Sequence, residues 1–234
     1  MLALKLGQSL TSNNSATINA DTYSLQFTGT EYMSADAFAA DINLPKGSVS
    51  VWTKVSTMTA SGFLCRSQVD SNNIIQLFYH ASSNEMRFLY KAGGNSKTVV
   101  FTDAIENDGL WHHIFATWDT DADELKIYLD GTLKATNSAT LGTFASQPTV
   151  FDIGQNTQGA SFYKGFLDEF SFFSEVVDIN VVRSRSTPIN LTGAANLIGY
   201  WRFNEGTGSV AADSSGNENT GTLFNSPTWT TDTP

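Results

Sequence analysis

The chain has one cysteine, Cys65, so no internal disulfide can form and a cysteine-stapled secreted scaffold is excluded. Set in Gly62-Phe63-Leu64-Cys65-Arg66, the lone thiol is expected to be a small buried hydrophobe rather than a nucleophile. Cations are scarce: 13 lysines and arginines stand against 23 acids, a net charge of −10. That balance argues against a nucleic-acid binder, which needs a basic footprint on phosphates, and against attachment to an anionic membrane. No apolar run approaches the ~20 residues of a membrane span. The opening Met1-Leu2-Ala3-Leu4-Lys5-Leu6 lacks the basic segment of a secretory leader, and Lys5 breaks its apolar stretch. The expectation is a protein cytoplasmic when made, or one that leaves the cell by another route, such as inside a virus particle.

With 41% hydrophobic residues over 234 positions, there is enough apolar material for a sizeable core. Its pattern has period two. Val49, Val51, Thr53 and Val55 alternate with Ser50, Trp52 and Lys54. Ile114, Ala116 and Trp118 alternate with His113, Phe115 and Thr117, and Leu125, Ile127 and Leu129 with Lys126, Tyr128 and Asp130. Phe166, Asp168, Phe170 and Phe172 alternate with Leu167, Glu169 and Ser171. Each run reads as a half-buried strand. Shorter candidates lie at 24–27, 74–80, 86–90, 98–102, 149–153, 197–203 and 221–224. Turn-forming clusters separate them at 69–73, 92–95, 119–123 and 213–217, and Asp130-Gly131 is a hairpin signal. A helix-like pattern occurs only at 174–185. These features predict an all-β, antiparallel sandwich or barrel, with residues 1–234 as a single domain.

Five ordered stretches add a resemblance. Ser24-Leu25-Gln26-Phe27-Thr28-Gly29-Thr30, Ser48-Val49-Ser50-Val51-Trp52, Trp111-His112-His113-Ile114, Leu125 to Gly131, and Gly165-Phe166-Leu167-Asp168-Glu169-Phe170 together resemble the laminin-G-like, concanavalin A-type jelly-roll domains of the pentraxin and laminin-G group. The resemblance implies a two-sheet antiparallel jelly roll of roughly a dozen strands. The tail, Gly199-Tyr200-Trp201-Arg202-Phe203-Asn204-Glu205-Gly206 and then Asp213-Ser214-Ser215-Gly216-Asn217-Glu218-Asn219, is similar to the segment that usually opens such domains. A truncated second repeat and a circular permutation both account for that. Permutation is favoured, because the chain begins with what normally follows that segment and sandwich termini often lie close together. Residues 197–224 are then expected to complete the same two sheets.

The resemblance also implies calcium, since related loops are often calcium-associated. Asp213, Asn217 and Asn219 surround a glycine turn with oxygen donors, and they are either ligands for Ca²⁺ or an Asx-turn without metal. Asp168, beside phenylalanines, needs a partner when buried: an ion pair, an imidazole such as His112, or Ca²⁺. His112 and His113 face opposite sides of one strand, so structural bracing is expected of them rather than shared metal ligation. Asp119-Thr120-Asp121-Ala122-Asp123-Glu124 starts like an EF-hand loop but has Glu124 where glycine is needed, and reads as a hairpin turn.

Among the five tryptophans, Trp52 falls on the polar side of its strand and is the candidate for stacking on a sugar. Asn156, Gln158 and Tyr163, in a polar loop, are the accompanying ligand candidates. No E-x-D-x-x-E acidic motif of a retaining glucanase is present, and Asp168 and Glu169, being adjacent, should face opposite ways. Arg66-Ser67-Gln68-Val69, Gln76-Leu77-Phe78 and Tyr90-Lys91-Ala92-Gly93 echo a polysaccharide-lyase pattern. Gln68 stands where an acid is expected and no histidine follows Gln76-Leu77, so the echo reads as coincidence. The expectation is a non-catalytic, lectin-like domain that binds a polysaccharide or other glycan. A virion setting is expected with it, as an adhesion or decoration protein partnered by capsid or tail proteins. The alternatives are a purely structural particle protein and a polysaccharide hydrolase or lyase.

Overall fold

The computed structural model describes residues 21–157, 159–183 and 187–234. They form two antiparallel sheets of eight strands each, the jelly-roll sandwich expected from the sequence. Sheet A runs in the order β10 (Thr132–Ser138), β9 (Glu124–Leu129), β8 (His112–Asp119), β3 (Lys46–Val55), β12 (Lys164–Phe173), β1 (Ser24–Thr28) and β16 (Thr228–Thr230), with β13 (Leu197–Trp201) also paired to β12. Sheet B runs β14 (Val210–Ala211), β15 (Gly221–Phe224), β2 (Tyr32–Ser34), β11 (Val150–Ile153), β4 (Gly62–Asp70), β5 (Asn73–His80), β6 (Glu85–Ala92) and β7 (Asn95–Phe101). The helices among the described residues are single turns, α1 (Asp36–Ala39) and α2 (Ile179–Val182). None is long and apolar enough to cross a membrane.

The alternating residues meet between the sheets. Val49, Val51, Ile114, Ala116, Trp118, Leu125 and Ile127 from sheet A pack with Cys65, Ile75, Leu77, Phe88 and Tyr90 from sheet B, all essentially buried. Each large side chain so placed contributes about 1.5–3 kcal/mol. Trp118 satisfies its indole N–H on the carbonyls of Asn43 and Leu44, at 3.2 and 3.1 Å. Burial pushes the Cys65 thiol up to about 12, so it stays protonated and inert.

The tail is woven into both sheets: β13 pairs with β12, β15 with β2, and β16 with β1. Trp201, Phe203, Ala211 and Leu223 all lie in the main core. Trp201 stacks on Phe151 and meets Phe38 edge-on, and its indole N–H donates to the Asn219 carbonyl at 2.9 Å.

A second, smaller core lies on the outer face of sheet A, where α2 and the chain around Leu191 cover Phe115, Phe173, Leu197 and Tyr200. The same cover hides Trp52. In β12 the period-two pattern also breaks. The pairing with β3 shifts register between Asp168 and Ser171, and Glu169 has φ +48°. The extra residue of this bulge moves the phase, so Leu167, Phe170 and Phe172 join the main core while Phe166 does not.

Candidate functional site

The bulge in β12 sits at a fork. On one side β12 pairs with β1 as far as Leu167 and with β13 from Phe170 onward. The start of β1 and the end of β13 therefore meet head-on opposite Asp168 and Glu169. Asp21 arrives from just before β1, and Arg202 and Asn204 from just after β13. Asp21, Asp168 and Glu169 offer carboxylate oxygens that all lie within 4.8 Å of one another. Because of the bulge the adjacent pair joins one cluster, correcting the expectation that Asp168 and Glu169 face opposite ways.

The electrostatics of the fork are strained. Asp168 is fully buried; its Oδ1 accepts the Glu169 amide at 2.8 Å and its Oδ2 has no hydrogen-bond partner. Burial, and then the negative charges of Asp21 and Glu169, hold its carboxyl well above the ordinary carboxylate range. Asp21 is also raised by burial, with the neighbouring Asp168 carboxyl first, then Asn204 and Arg202, pulling it back. Glu169 accepts the Tyr200 hydroxyl and lies 3.5 Å from Arg202 Nε. Calcium takes carboxylate oxygens at 2.3–2.6 Å, so two ligands on opposite sides of it lie at most about 5 Å apart. Three convergent carboxylates, two of them, Asp21 and Asp168, with buried oxygens that lack a donor, fit that requirement. His112 is not the partner of Asp168: its Nδ1 meets Asp130 at 2.7 Å and its Nε2 meets Asp108 at 2.8 Å.

The Asp213 loop proves to be a clasp. Asp213 Oδ1 accepts the amides of Tyr200 and Ser215, and its Oδ2 accepts the Ser215 hydroxyl and the Asn219 amide, at 2.7–2.9 Å. Its lone pairs are already taken. Asn217 Nδ2 donates to the Leu197 and Ile198 carbonyls, and Asn219 Nδ2 to Asp41 and the Ile198 carbonyl. These side chains face the backbone of β13 as donors rather than a cation as acceptors. The expected calcium site at Asp213, Asn217 and Asn219 is thereby corrected; of the four metal candidates, Asp168 alone lies in a carboxylate cluster.

The ligand candidates separate too. Trp52 is 3% exposed, held between His113, with ring centroids 5.2 Å apart, and the Arg183 guanidinium, 5.7 Å from the ring. Tyr163 is fully buried with its hydroxyl on Thr53 Oγ1. Neither presents a ring to solvent, because alternation assigns a face but not what covers it. Asn156 is buried and closes its own loop, its Oδ1 accepting the Ala160 amide at 3.1 Å. Gln158 lies outside the described residues.

The loop that carries Asn156 borders a different surface, the outer face of sheet B. Gln155 Nε2 donates to Asp152 Oδ2 at 2.9 Å, and Phe162 approaches Tyr32. Tyr32 and Phe224 stack with centroids 4.7 Å apart and planes 9° from parallel, and Phe224 is exposed. The cross-strand register places Ser34, Asp152, Arg66 and Gln76 in one row beside them. Burial raises the Asp152 carboxyl to about 6. This aromatic and polar row escaped the sequence reading because its members come from five strands; Phe224 and Tyr32 meet only through the pairing of β15 with β2.

A laminin G family profile, described as the concanavalin A-like lectin/glucanases superfamily, matches residues 11–180. The match ends before the tail and does not show a circular permutation. No curated protein matches the sequence. Among solved structures, the chain is similar to a candidate carbohydrate-binding protein from Bacteroides ovatus, at TM-score 0.67 and 17% identity over 91% of this chain, which spans 61% of that one. It is similar to the CBM40 module of a Ruminococcus gnavus IT-sialidase, at TM-score 0.56 and 13% identity, covering 67% of this chain and 92% of the module. A SAP-like pentraxin from Limulus polyphemus is similar at TM-score 0.50 and 17% identity, over 67% of this chain and 78% of the pentraxin.

Proposed function

We infer that this chain, which belongs to the concanavalin A-like lectin/glucanase superfamily, is a glycan-binding module that acts without catalysis. The observation that carries the reading is the stacked Tyr32–Phe224 pair on the outer face of sheet B, beside Phe162 and the polar groups of Ser34, Asp152 and Gln155. The C–H face of a pyranose packs on an aromatic plane, and neighbouring carboxylate and amide groups take its hydroxyls. Support comes from the fold neighbours described as a candidate carbohydrate-binding protein and as a CBM40 module, the latter also described bound to α2,3-sialyllactose.

The fork is read as a structural calcium site, with Asp21, Asp168 and Glu169 as its ligands. When bound, the ion would supply positive charge to three crowded carboxylates and no reaction chemistry. Those residues would hold it where β1, β12 and β13 meet, so its effect would fall on stability.

A glycan array probed with the whole chain, in calcium and in chelator, tests the reading. Retention on a subset of saccharides, with no shortened products when those saccharides are incubated in solution, is the expected result. No retention on any saccharide overturns glycan binding, and released fragments overturn the absence of catalysis.

A further inference from the structure

We propose that the outer face of sheet B recognises a carboxylate-bearing saccharide, a uronate unit, with the Arg66 guanidinium pairing with the sugar carboxylate and Gln76 accepting a neighbouring hydroxyl. The proposal rests on the glycan-binding reading and names the ligand class of that same surface.

Arg66 carries the argument. In β4, Cys65 points into the core, so Arg66 points outward. Its Nε and Nη2 both donate to one neutral oxygen, Gln68 Oε1, at 3.0 and 2.6 Å. Among the described residues no carboxylate forms an ion pair with it, although it is half-buried and burial alone depresses its pKa. Asp152 is its register partner across β11. That carboxyl is nonetheless set by burial, Gln155, Ser34 and Asp36, with no part played by Arg66. Arg66 thus lies along its own strand rather than across to the acid. A desolvated guanidinium bonded only to an amide is an unmet charge, and its planar fork matches a carboxylate in two parallel hydrogen bonds.

Gln76 is the second, independent observation. It faces Arg66 directly across the β4–β5 register. It is 7% exposed, and its Oε1 has no hydrogen-bond partner. A buried acceptor without a donor is costly unless a donor arrives, and a sugar hydroxyl is one. Aromatic surfaces flank the row. Phe63 and Phe78 stack at 5.1 Å on β4 and β5, and Tyr32, Phe224 and Phe162 lie toward β15. From β15 to β5 there are four inter-strand steps of ~4.8 Å, about 19 Å in all, which suits an oligosaccharide better than a single ring.

The test is calorimetric titration of the whole chain with tetramers of galacturonate, guluronate and mannuronate, and with neutral tetramers of glucose and mannose. At least one uronate tetramer should bind more tightly than every neutral one, and chelator should leave that binding unchanged, since arginine supplies the charge. Arg66→Gln and Gln76→Leu should each weaken it by about tenfold to a hundredfold while thermal melting stays that of the parent. Arg66→Lys, which keeps the charge and loses the fork, should fall between; it also serves if Arg66→Gln does not fold. Equal or tighter binding of a neutral tetramer, or undiminished uronate binding by folded Arg66→Gln, overturns the proposal. Saccharides retained on an array without any uronate preference would sink this proposal alone, whereas an array that retains nothing would sink the glycan reading beneath it.

Discussion

Asn204 Oδ1 accepts the backbone amide of Tyr23 at 2.9 Å, across 181 positions of sequence. It also accepts the amide and hydroxyl of Thr22, at 2.8 and 3.1 Å. A residue just beyond β13 therefore caps the residues that precede β1, and these bonds tie the tail to the start of the described chain. Asn204→Ala should lower stability by about 1–2 kcal/mol, read as a lower urea midpoint. Removing residues 197–234 strips Trp201, Phe203 and Leu223 from the core and should abolish cooperative unfolding. A truncated chain with the parent's transition would show the tail to be dispensable.

The fork predicts a response to calcium. A cation bound only by the folded chain, at a hundred times its dissociation constant, adds about 2.7 kcal/mol. Chelator should lower the melting temperature. Asp168→Asn should erase the difference between calcium and chelator and, in chelator, melt no lower than the parent, because burial and the neighbouring acids already disfavour the charged carboxylate there and the amide is neutral. Equal melting of the parent with and without calcium contradicts the site.

Two groups each add to the stability a pH-dependent contribution of known sign. Asp152 has its carboxyl raised to about 6 from 3.8, so the folded chain holds that proton more tightly than the unfolded one. Its contribution is complete below 3.8 and is lost as pH rises through about 6. His112 is raised above 6.5, first by its hydrogen bond to Asp130 and then by Asp108. Its contribution is complete below 6.5 and is lost as pH climbs through its folded value. Burial lowers His113 to about 3, which acts with the opposite sign over the same range. Each contribution is therefore read as the difference between parent and variant. The parent's margin over Asp152→Asn should shrink as pH rises from 3.8 through about 6, and its margin over His112→Gln should shrink above 6.5. A margin that stays constant with pH across its own window contradicts the assignment.

Gly47 stands opposite Trp118 in the β3–β8 pairing. A methyl at this position would press on the Trp118 ring and come within 2.7 Å of the Phe173 carbonyl, both held by the sheet. Gly47→Ala should cost about 1–3 kcal/mol through overpacking, seen in the urea midpoint. An unchanged midpoint would mean that Trp118 can move.

Much of the frame was legible because alternation is a local property. Val49, Val51, Ile114, Ala116, Leu125 and Ile127 announce both their strands and the face that becomes core. The edge strand β10 was not legible, since its residues are mostly exposed on both faces and carry no alternation. Trp52 was assigned to the correct side of β3, yet it is buried, because a cover supplied from 130 residues downstream leaves no mark in the strand it hides. The bulge at Asp168–Glu169 defeated the face assignment for a similar reason: an inserted residue looks like any other until the partner strands set the register. Asp168 stands out in the sequence as a carboxylate needing a partner; Asp21 and Asn204 do not, because nothing local marks a residue that matters only where two strand ends meet.

The central claim, glycan binding by the outer face of sheet B, is tested most directly by retention in native gels cast with soluble polysaccharides. The parent should be slowed by at least one polysaccharide, and the double variant Tyr32→Ala, Phe224→Ala, with its fold verified by an intact cooperative melt, should migrate as in an empty gel. A parent slowed by none, or a folded double variant slowed as much as the parent, would contradict the account.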